Sequence, residues 1–342
     1  MKIRRSLVLL DPAPRTADEI FEPEARRRLD ERFEVLERGA RPVDAFYAEH
    51  LPAASFVVGQ PPLDAAAIDG APALRAVINV EGNFLQNTDY AACFAAGVHV
   101  LTISPVFARP VAELALGLAL ALARDIPRAH QSFVDGDERY GLDGNADARL
   151  LHGCTLGFVG FGDLGRAILP LFAPFRPEVL VYDPWLSPEL LHREGIPTGS
   201  LEQVLSRSDV VMVVATVTAD SRGLIGAEEL ALMPSGASFV LLSRADVVDF
   251  EALREACASG RLRAATDVLP SEPLPADSPL RRTPNLLLSA HRGGALRSAL
   301  SEIGERVVAD LALMDAGLPP QNCKRAEREL VARLESRPVE RS

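Results

Sequence analysis

The chain has 342 residues, 48 % of them hydrophobic, and its 36 basic and 47 acidic side chains leave a net charge of −11. That length suffices for two ordinary domains with real cores. The acidic balance argues against nonspecific nucleic-acid binding and against an anionic membrane surface, but a small anionic substrate stays compatible because clustered arginines override a global field.

At the N-terminus, MKIRRSLVLLDPAP is basic and then briefly apolar. The apolar run is too short for a signal-peptide core and predicts a first strand closed by Pro12 and Pro14. ASFVVG (54–59), LRAVINV (74–80) and GVHVLTI (97–103) predict further strands, with Gly and Pro punctuating their ends. Together they predict a small α/β domain with a parallel sheet. VAELALGLALALA (111–123) carries Glu113 and is too short to span a bilayer, so it predicts a buried helix beginning near Val111. A Gly- and Asp-rich surface loop follows (135–148).

Six apolar runs then alternate with helical stretches: TLGFVG, EVLVYD, DVVMVVA, ASFVLLS, RAATDVL and NLLLSA. Runs of this kind fit strands buried on both faces, and their alternation predicts a doubly wound parallel sheet. Residues 297–317 show helical periodicity, with Leu300, Ile303, Val307, Leu311 and Met314 on one stripe. The last 25 or so residues are charged and read as a tail or a short helix. The cysteines, Cys93, Cys154, Cys257 and Cys323, are widely spaced without a Cys-x-x-Cys pair. They predict reduced thiols in a cytoplasmic protein, with neither a metal site nor a disulfide framework.

The strongest motif is LGFVGFGDLGRA (156–167), which sets Gly160, Gly162 and Gly165 in G-x-G-x-x-G spacing between a predicted strand and a predicted helix. The glycines permit a tight turn, a close backbone approach to a pyrophosphate, and close helix–strand packing. Asp183 closes the next strand, where a carboxylate accepts bonds from ribose hydroxyls and repels a 2′-phosphate. The motif therefore predicts NAD rather than NADP.

Three ionisable residues fall at the ends of later strands: Arg244, Glu272 and His291. Each alone reads as a loop residue; together they mark the edge where open α/β sheets bind ligands. A histidine exchanges a proton near neutral pH, a glutamate fixes its ring, and an arginine holds a carboxylate through paired hydrogen bonds. That set suits reduction of a 2-oxo acid.

With these motifs in order, the chain resembles the D-isomer-specific 2-hydroxyacid dehydrogenases over roughly residues 55–317. The likeness is strongest in VAELALGLALALAR, GFVGFGDLGRA, SRGLIGAEELALM, SRADVVDFEAL, DVLPSEPLPADSPL and LLLSAHRGG. The resemblance implies a doubly wound Rossmann NAD domain (109–304) inserted in a smaller flavodoxin-like α/β substrate domain (1–108 and 305–342). It implies a homodimer joined through the NAD domains, with Arg244, Glu272 and His291 catalytic. Asp267 would hold the nicotinamide carboxamide, and backbone at Asp163, Leu164, Ala215, Leu242 and Gly294 would line the cofactor. Glu rather than Gln at 272 argues against the formate dehydrogenase branch.

Several positions depart from the family pattern. Ala245 replaces a glycine after the arginine, which costs about 1 kcal/mol if that position needs positive φ. In EGNFLQNTD, Gly82 is kept but Phe84 stands for a second glycine, so Asn83 and Phe84 are expected to line the substrate pocket unless Phe84 packs into the core. Arg109 and Arg292 occupy positions usually acidic and apolar; facing the substrate, they would imply a second anionic group on it. The rival readings are a non-catalytic NAD(H)-sensing regulatory protein on the same scaffold, and oxidation of a non-carboxylate anion such as phosphite.

Overall fold

The computed structural model describes residues 5–334. Contacts divide the chain into two compact units, one running to Phe107 and resuming at Ala295, the other running from Ala108 to Gly294.

In the first unit, strands β1 (Leu7–Asp11), β2 (Glu34–Glu37), β3 (Phe56–Gly59), β4 (Ala76–Asn79) and β5 (His99–Thr102) are parallel, in the order β5-β4-β3-β1-β2. Side chains alternate across a strand, so each strand feeds two cores. Val8, Leu10, Phe56, Val58 and Ile78 face Ile20, Leu29, Phe33 and the helix Arg297–Asp315. Leu9, Val57, Val77 and Val100 face Phe46, Tyr47, Ile68 and Cys93. The predicted stripe is the one buried: Ile303, Val307, Leu311 and Met314 all lie in the first core. That helix belongs whole to this unit, so the chain crosses at Gly294–Ala295 and not inside the helix at residue 305.

The second unit is built on six parallel strands, β6 (Thr155–Val159), β7 (Glu178–Tyr182), β8 (Val210–Val213), β9 (Ser238–Leu241), β10 (Arg263–Thr266) and β11 (Leu286–Leu288). Their order is β11-β10-β9-β8-β6-β7, and a parallel bridge from Val181 to Thr198 extends the β7 edge. All six coincide with the apolar runs read from the sequence. The inner strands β6, β8, β9 and β10 are buried on both faces, which removes the need for alternation and leaves their runs nearly continuous.

The helix predicted from Val111 begins earlier and spans Ser104–Ala123, with Pro110 inside it. At 20 residues it is long and apolar enough to cross a membrane by length and composition, contrary to the reading of the shorter run. Val106, Val111, Ala112, Ala115, Ala119 and Leu122 are buried, as in a core helix. All four cysteines are buried thiols.

The C-terminal segment returns to the first sheet as β12 (Lys324–Arg325), antiparallel to β5. A short helix, Arg328–Val331, follows, and the remaining predicted tail (335–342) lies outside the described residues. The fully buried Asp310 organises this return. Its carboxylate accepts from the backbone N–H groups of Gln321 (2.8 Å), Asn322 (2.9 Å) and Cys323 (2.7 Å), and from Asn322 Nδ2 (2.8 Å). Burial alone would raise its pKa, but these donors outweigh it and hold the carboxyl below the ordinary range.

A depressed carboxyl stabilises the fold above its unfolded pKa and loses that contribution as pH falls through the folded value. Asp310→Ala is expected to cost about 3 kcal/mol, because it strands buried N–H donors. In urea melts, the fall in wild-type stability below about pH 4 should be smaller in the variant, and its residues 321–325 should lose hydrogen-exchange protection.

Candidate active site

The loops that leave the carboxyl ends of β6 to β11 carry nearly every residue singled out in this half of the sequence. Parallel strands put those ends on one edge, where such sheets bind ligands. Gly160 leaves β6 at φ +85°, and its N–H donates to Tyr182 O at 2.8 Å. A Cβ there would lie 2.6 Å from Ala215 Cα, so only glycine lets the turn pass the end of β8. Gly162 caps the helix Asp163–Phe172 without a side-chain cap, and a Cβ added to it would meet nothing within 4 Å. Asp163 and Leu164 form the first turn of that helix. Gly165 abuts Phe161, where a Cβ would come within 2.8 Å of the ring.

Asp183 follows β7 and braces this loop: it accepts from Phe161 N (2.7 Å) and Trp185 N (2.8 Å). Each carboxylate oxygen has a second lone pair for another donor. Leu242 continues β9, with its N–H on Val213 O. A helix N-terminus without a side-chain cap, open space at Gly162 and an acidic residue on the next strand end fit a dinucleotide.

His291, Glu272 and Arg244 come together at the same edge. His291 Nδ1 lies 2.7 Å from Glu272 Oε2, with the side chains 32 % and 22 % exposed. Glu272 Oε1 accepts from Leu269 N at 3.0 Å. Burial pushes the Glu272 carboxyl up, but hydrogen bonds from His291 and Leu269 N–H, with the charges of His291 and Arg244, outweigh it and hold the pKa below the usual value. An ionised carboxylate only accepts, so Nδ1 carries the hydrogen and Nε2 is the nitrogen that exchanges a proton. Arg244 is half-buried, with Nη1 on the Ser243 carbonyl at 2.8 Å. Ala245 opens a 3-10 turn (Ala245–Val247) and is absent from the positive-φ residues, so the missing glycine costs nothing here.

His291 itself has φ +48°, a left-handed backbone that costs a non-glycine residue about 1 kcal/mol or more. Asp267 offsets this. The 3 % exposed carboxylate accepts from Arg292 N (2.9 Å), Gly293 N (2.8 Å) and the Ser289 hydroxyl, fixing the turn on both sides of His291. The sequence marked Asp267 as a cofactor contact but gave no hint of this brace, nor of Ser289 in it. A polar residue ending the apolar β11 run was the only signal. Gly294 follows, half-buried.

The other predicted substrate residues are placed as follows. Gly82 has φ +83° and packs against Phe107. Asn83 Oδ1 accepts from Phe84 N at 2.9 Å. Phe84 is 2 % exposed with its ring edge-on to Tyr90 at 6.5 Å, so its side chain serves packing and not the expected pocket wall. Arg109 and Arg292 are exposed, as arginines usually are.

A family model described as D-isomer specific 2-hydroxyacid dehydrogenase, NAD binding domain, matches residues 116–293. A D-3-phosphoglycerate dehydrogenase of Methanocaldococcus jannaschii is 32 % identical over 238 residues, covering 69 % of this chain and 44 % of its own. The chain thus spans about half the length of the first curated relatives it matches. Glyoxylate/hydroxypyruvate reductase B of Pectobacterium atrosepticum is 31 % identical over 305 residues, covering 87 % of this chain and 93 % of its own. The crystal structure of a phosphoglycerate oxidoreductase from Rhizobium etli is similar at a TM-score of 0.85 and 47 % identity, covering 95 % of this chain and 99 % of that one. With more than half of its residues inside the matched model, the chain belongs to the D-isomer specific 2-hydroxyacid dehydrogenase family, and Ala108–Gly294 contains its NAD-binding domain.

Proposed function

We propose that the protein is an NAD-dependent oxidoreductase that interconverts a D-2-hydroxy acid and its 2-oxo acid. The observation that carries this reading is the 2.7 Å His291–Glu272 pair beside Arg244, on the sheet edge that also holds the glycine loop. In the direction of reduction, the Arg244 guanidinium anchors the substrate carboxylate and polarises the neighbouring carbonyl. His291 gives its Nε2 proton to the carbonyl oxygen and takes it back in the reverse direction. Glu272 keeps the ring oriented and stabilises its charged form.

Gly160, Gly162, Asp163, Leu164, Gly165, Asp183, Ala215, Leu242, Asp267 and Gly294 would hold NAD, with Asp183 favouring it over NADP by repelling a 2′-phosphate. When bound, the cofactor supplies or accepts the hydride at the substrate's C2. The relatives' names include phosphoglycerate and glyoxylate or hydroxypyruvate enzymes, which supports a small 2-oxo acid as substrate. We also propose a cytoplasmic homodimer joined through the NAD-binding units. Supporting this, the helix Ile126–Asp135 has no buried residue and exposes Phe133 (61 %) and Val134 (64 %), with Tyr140 and Leu142 exposed nearby in sequence. Apolar surface of this kind marks interfaces.

A panel of 2-oxo acids with NADH, followed at the nicotinamide absorbance, tests the activity. His291→Ala should lower kcat about 10³-fold and Glu272→Gln about 10²-fold, with NADH affinity by fluorescence titration within about threefold of wild type. Near-wild-type turnover in His291→Ala would overturn the mechanism. Tight NADH binding with silence across the panel would favour the sensor reading. Phe133→Asp should shift the protein to monomer in sedimentation velocity; a wild type that is already monomeric would refute the dimer.

A further inference from the structure

The turn around His291 hangs from the end of a single strand. β10 and β11 pair in parallel with Thr266 opposite Leu288, so the next residues, Asp267 and Ser289, leave the sheet side by side. Both backbones are held there: Asp267 N–H donates to Leu241 O at 3.1 Å and Ser289 N–H to Thr266 O at 2.9 Å. Two residues past Asp267, Leu269 N–H donates to Glu272 Oε1 at 3.0 Å. The end of β10 therefore sets both members of the His291–Glu272 pair, one through Asp267 and the other through Leu269.

Asp267 can hold the turn only if its carboxylate stands still, and the torsion that rotates a carboxylate about its last bond is broad. Oδ2 accepts from Gly293 N at 2.8 Å, while Oδ1 accepts from Arg292 N at 2.9 Å and from the Ser289 hydroxyl. A hydroxyl has one hydrogen, and Ser289 gives it to this charged acceptor, which makes a strong bond. The three donors are not equivalent. Arg292 and Gly293 lie in the turn itself, whereas Ser289 precedes it and is already tied to Thr266. Ser289 is thus the one donor fixed independently of the turn that the carboxylate supports. Gly293 lets the carboxylate come close: a Cβ there would lie 2.8 Å from Asp267 Oδ2 and 3.1 Å from Leu114.

His291 needs such a hold. Its φ of +48° is unfavourable for a residue with a Cβ, so an unbraced turn relaxes away from it. Relaxation swings the ring, and the 2.7 Å contact from Nδ1 to Glu272 Oε2 has little slack before it ceases to be a hydrogen bond. We infer that Ser289 is a positioning residue for the acid/base step. Its hydroxyl fixes Asp267, Asp267 fixes the turn, and the turn aims Nδ1 at Glu272 and leaves Nε2 for the substrate. No proton passes through Ser289. The inference rests on the 2-oxo acid reading above and adds to it a residue that acts only through Asp267.

Ser289→Ala should lower kcat about tenfold while KM for the 2-oxo acid and the NADH affinity stay within about twofold of wild type. Ser289→Thr keeps the hydroxyl and should restore kcat to within about threefold. In a His291→Ala background there is no imidazole to aim, so adding Ser289→Ala should change the single-turnover rate by less than about twofold; a general structural role would lower it about tenfold again. Imidazole nitrogen NMR reads the same positioning without turnover, with the His291 signals assigned by their loss in His291→Gln. At about pH 9, above the ordinary histidine range, wild-type His291 should carry its hydrogen on Nδ1, and Ser289→Ala should move much of that population to Nε2. If Ser289→Ala does not fold, Ser289→Cys, whose thiol is a weak donor, should show a smaller loss in kcat with KM again unmoved. A wild-type kcat in the folded variant, or equal losses in Ser289→Ala and Ser289→Thr, overturns the inference. Inactivity of the wild type on every 2-oxo acid defeats the oxidoreductase reading; the tautomer then decides by itself, and an unchanged tautomer in Ser289→Ala overturns the positioning role.

Discussion

Parallel pairing is the constraint on which the second unit's chemistry depends. Six strands that all run one way deliver six loops to a single edge, and residues 131 positions apart in sequence, Gly160 and His291, belong to one edge for that reason alone. Pairing does not aim side chains, however. Aim comes from local hydrogen bonds at each strand end: Asp183 on the glycine loop, Leu269 N on Glu272, and Asp267 on the turn around His291. The left-handed backbone of His291 survives because a buried carboxylate holds the next two N–H groups.

The sequence revealed most where the physics is repetitive or extreme. Six largely apolar runs stand out because the sheet buries most of their residues, and all six are strands. Gly160 stands out because the turn it makes admits no Cβ. What stayed hidden was decided by partners distant in the chain. β2 has only four residues with exposed ends, and β12 has two, so neither carries a periodic signal; each exists because an edge of the sheet was available. The helix start at Ser104 was masked by Pro105, tolerated in a first turn, and by Pro110, which lies inside the helix and cannot donate to the Val106 carbonyl. Phe84 could be read as pocket or core because an aromatic suits both, and only the ring of Tyr90 distinguishes them.

Two carboxylates on the sheet edges show opposite electrostatic settings. Glu272 shares its charge with a partly exposed histidine and two hydrogen bonds, an arrangement that lets a proton come and go on the ring's far side. Glu81 is more deeply buried, beside a cation, with an unsatisfied oxygen.

The way the chain passes out of the first unit and back has a consequence for its biogenesis. Strands β1 to β5 emerge from the ribosome early, but Ile303, Val307 and Leu311, which cover one face of their sheet, lie beyond the whole of Ala108–Gly294. At about 5–20 residues per second, that face waits on the order of ten seconds or longer for its cover. The contiguous second unit has no such delay and can complete its own sheet first. The nascent first unit is therefore the aggregation-exposed part of the molecule, and the late-made helix Arg297–Asp315 is the one that ends the exposure.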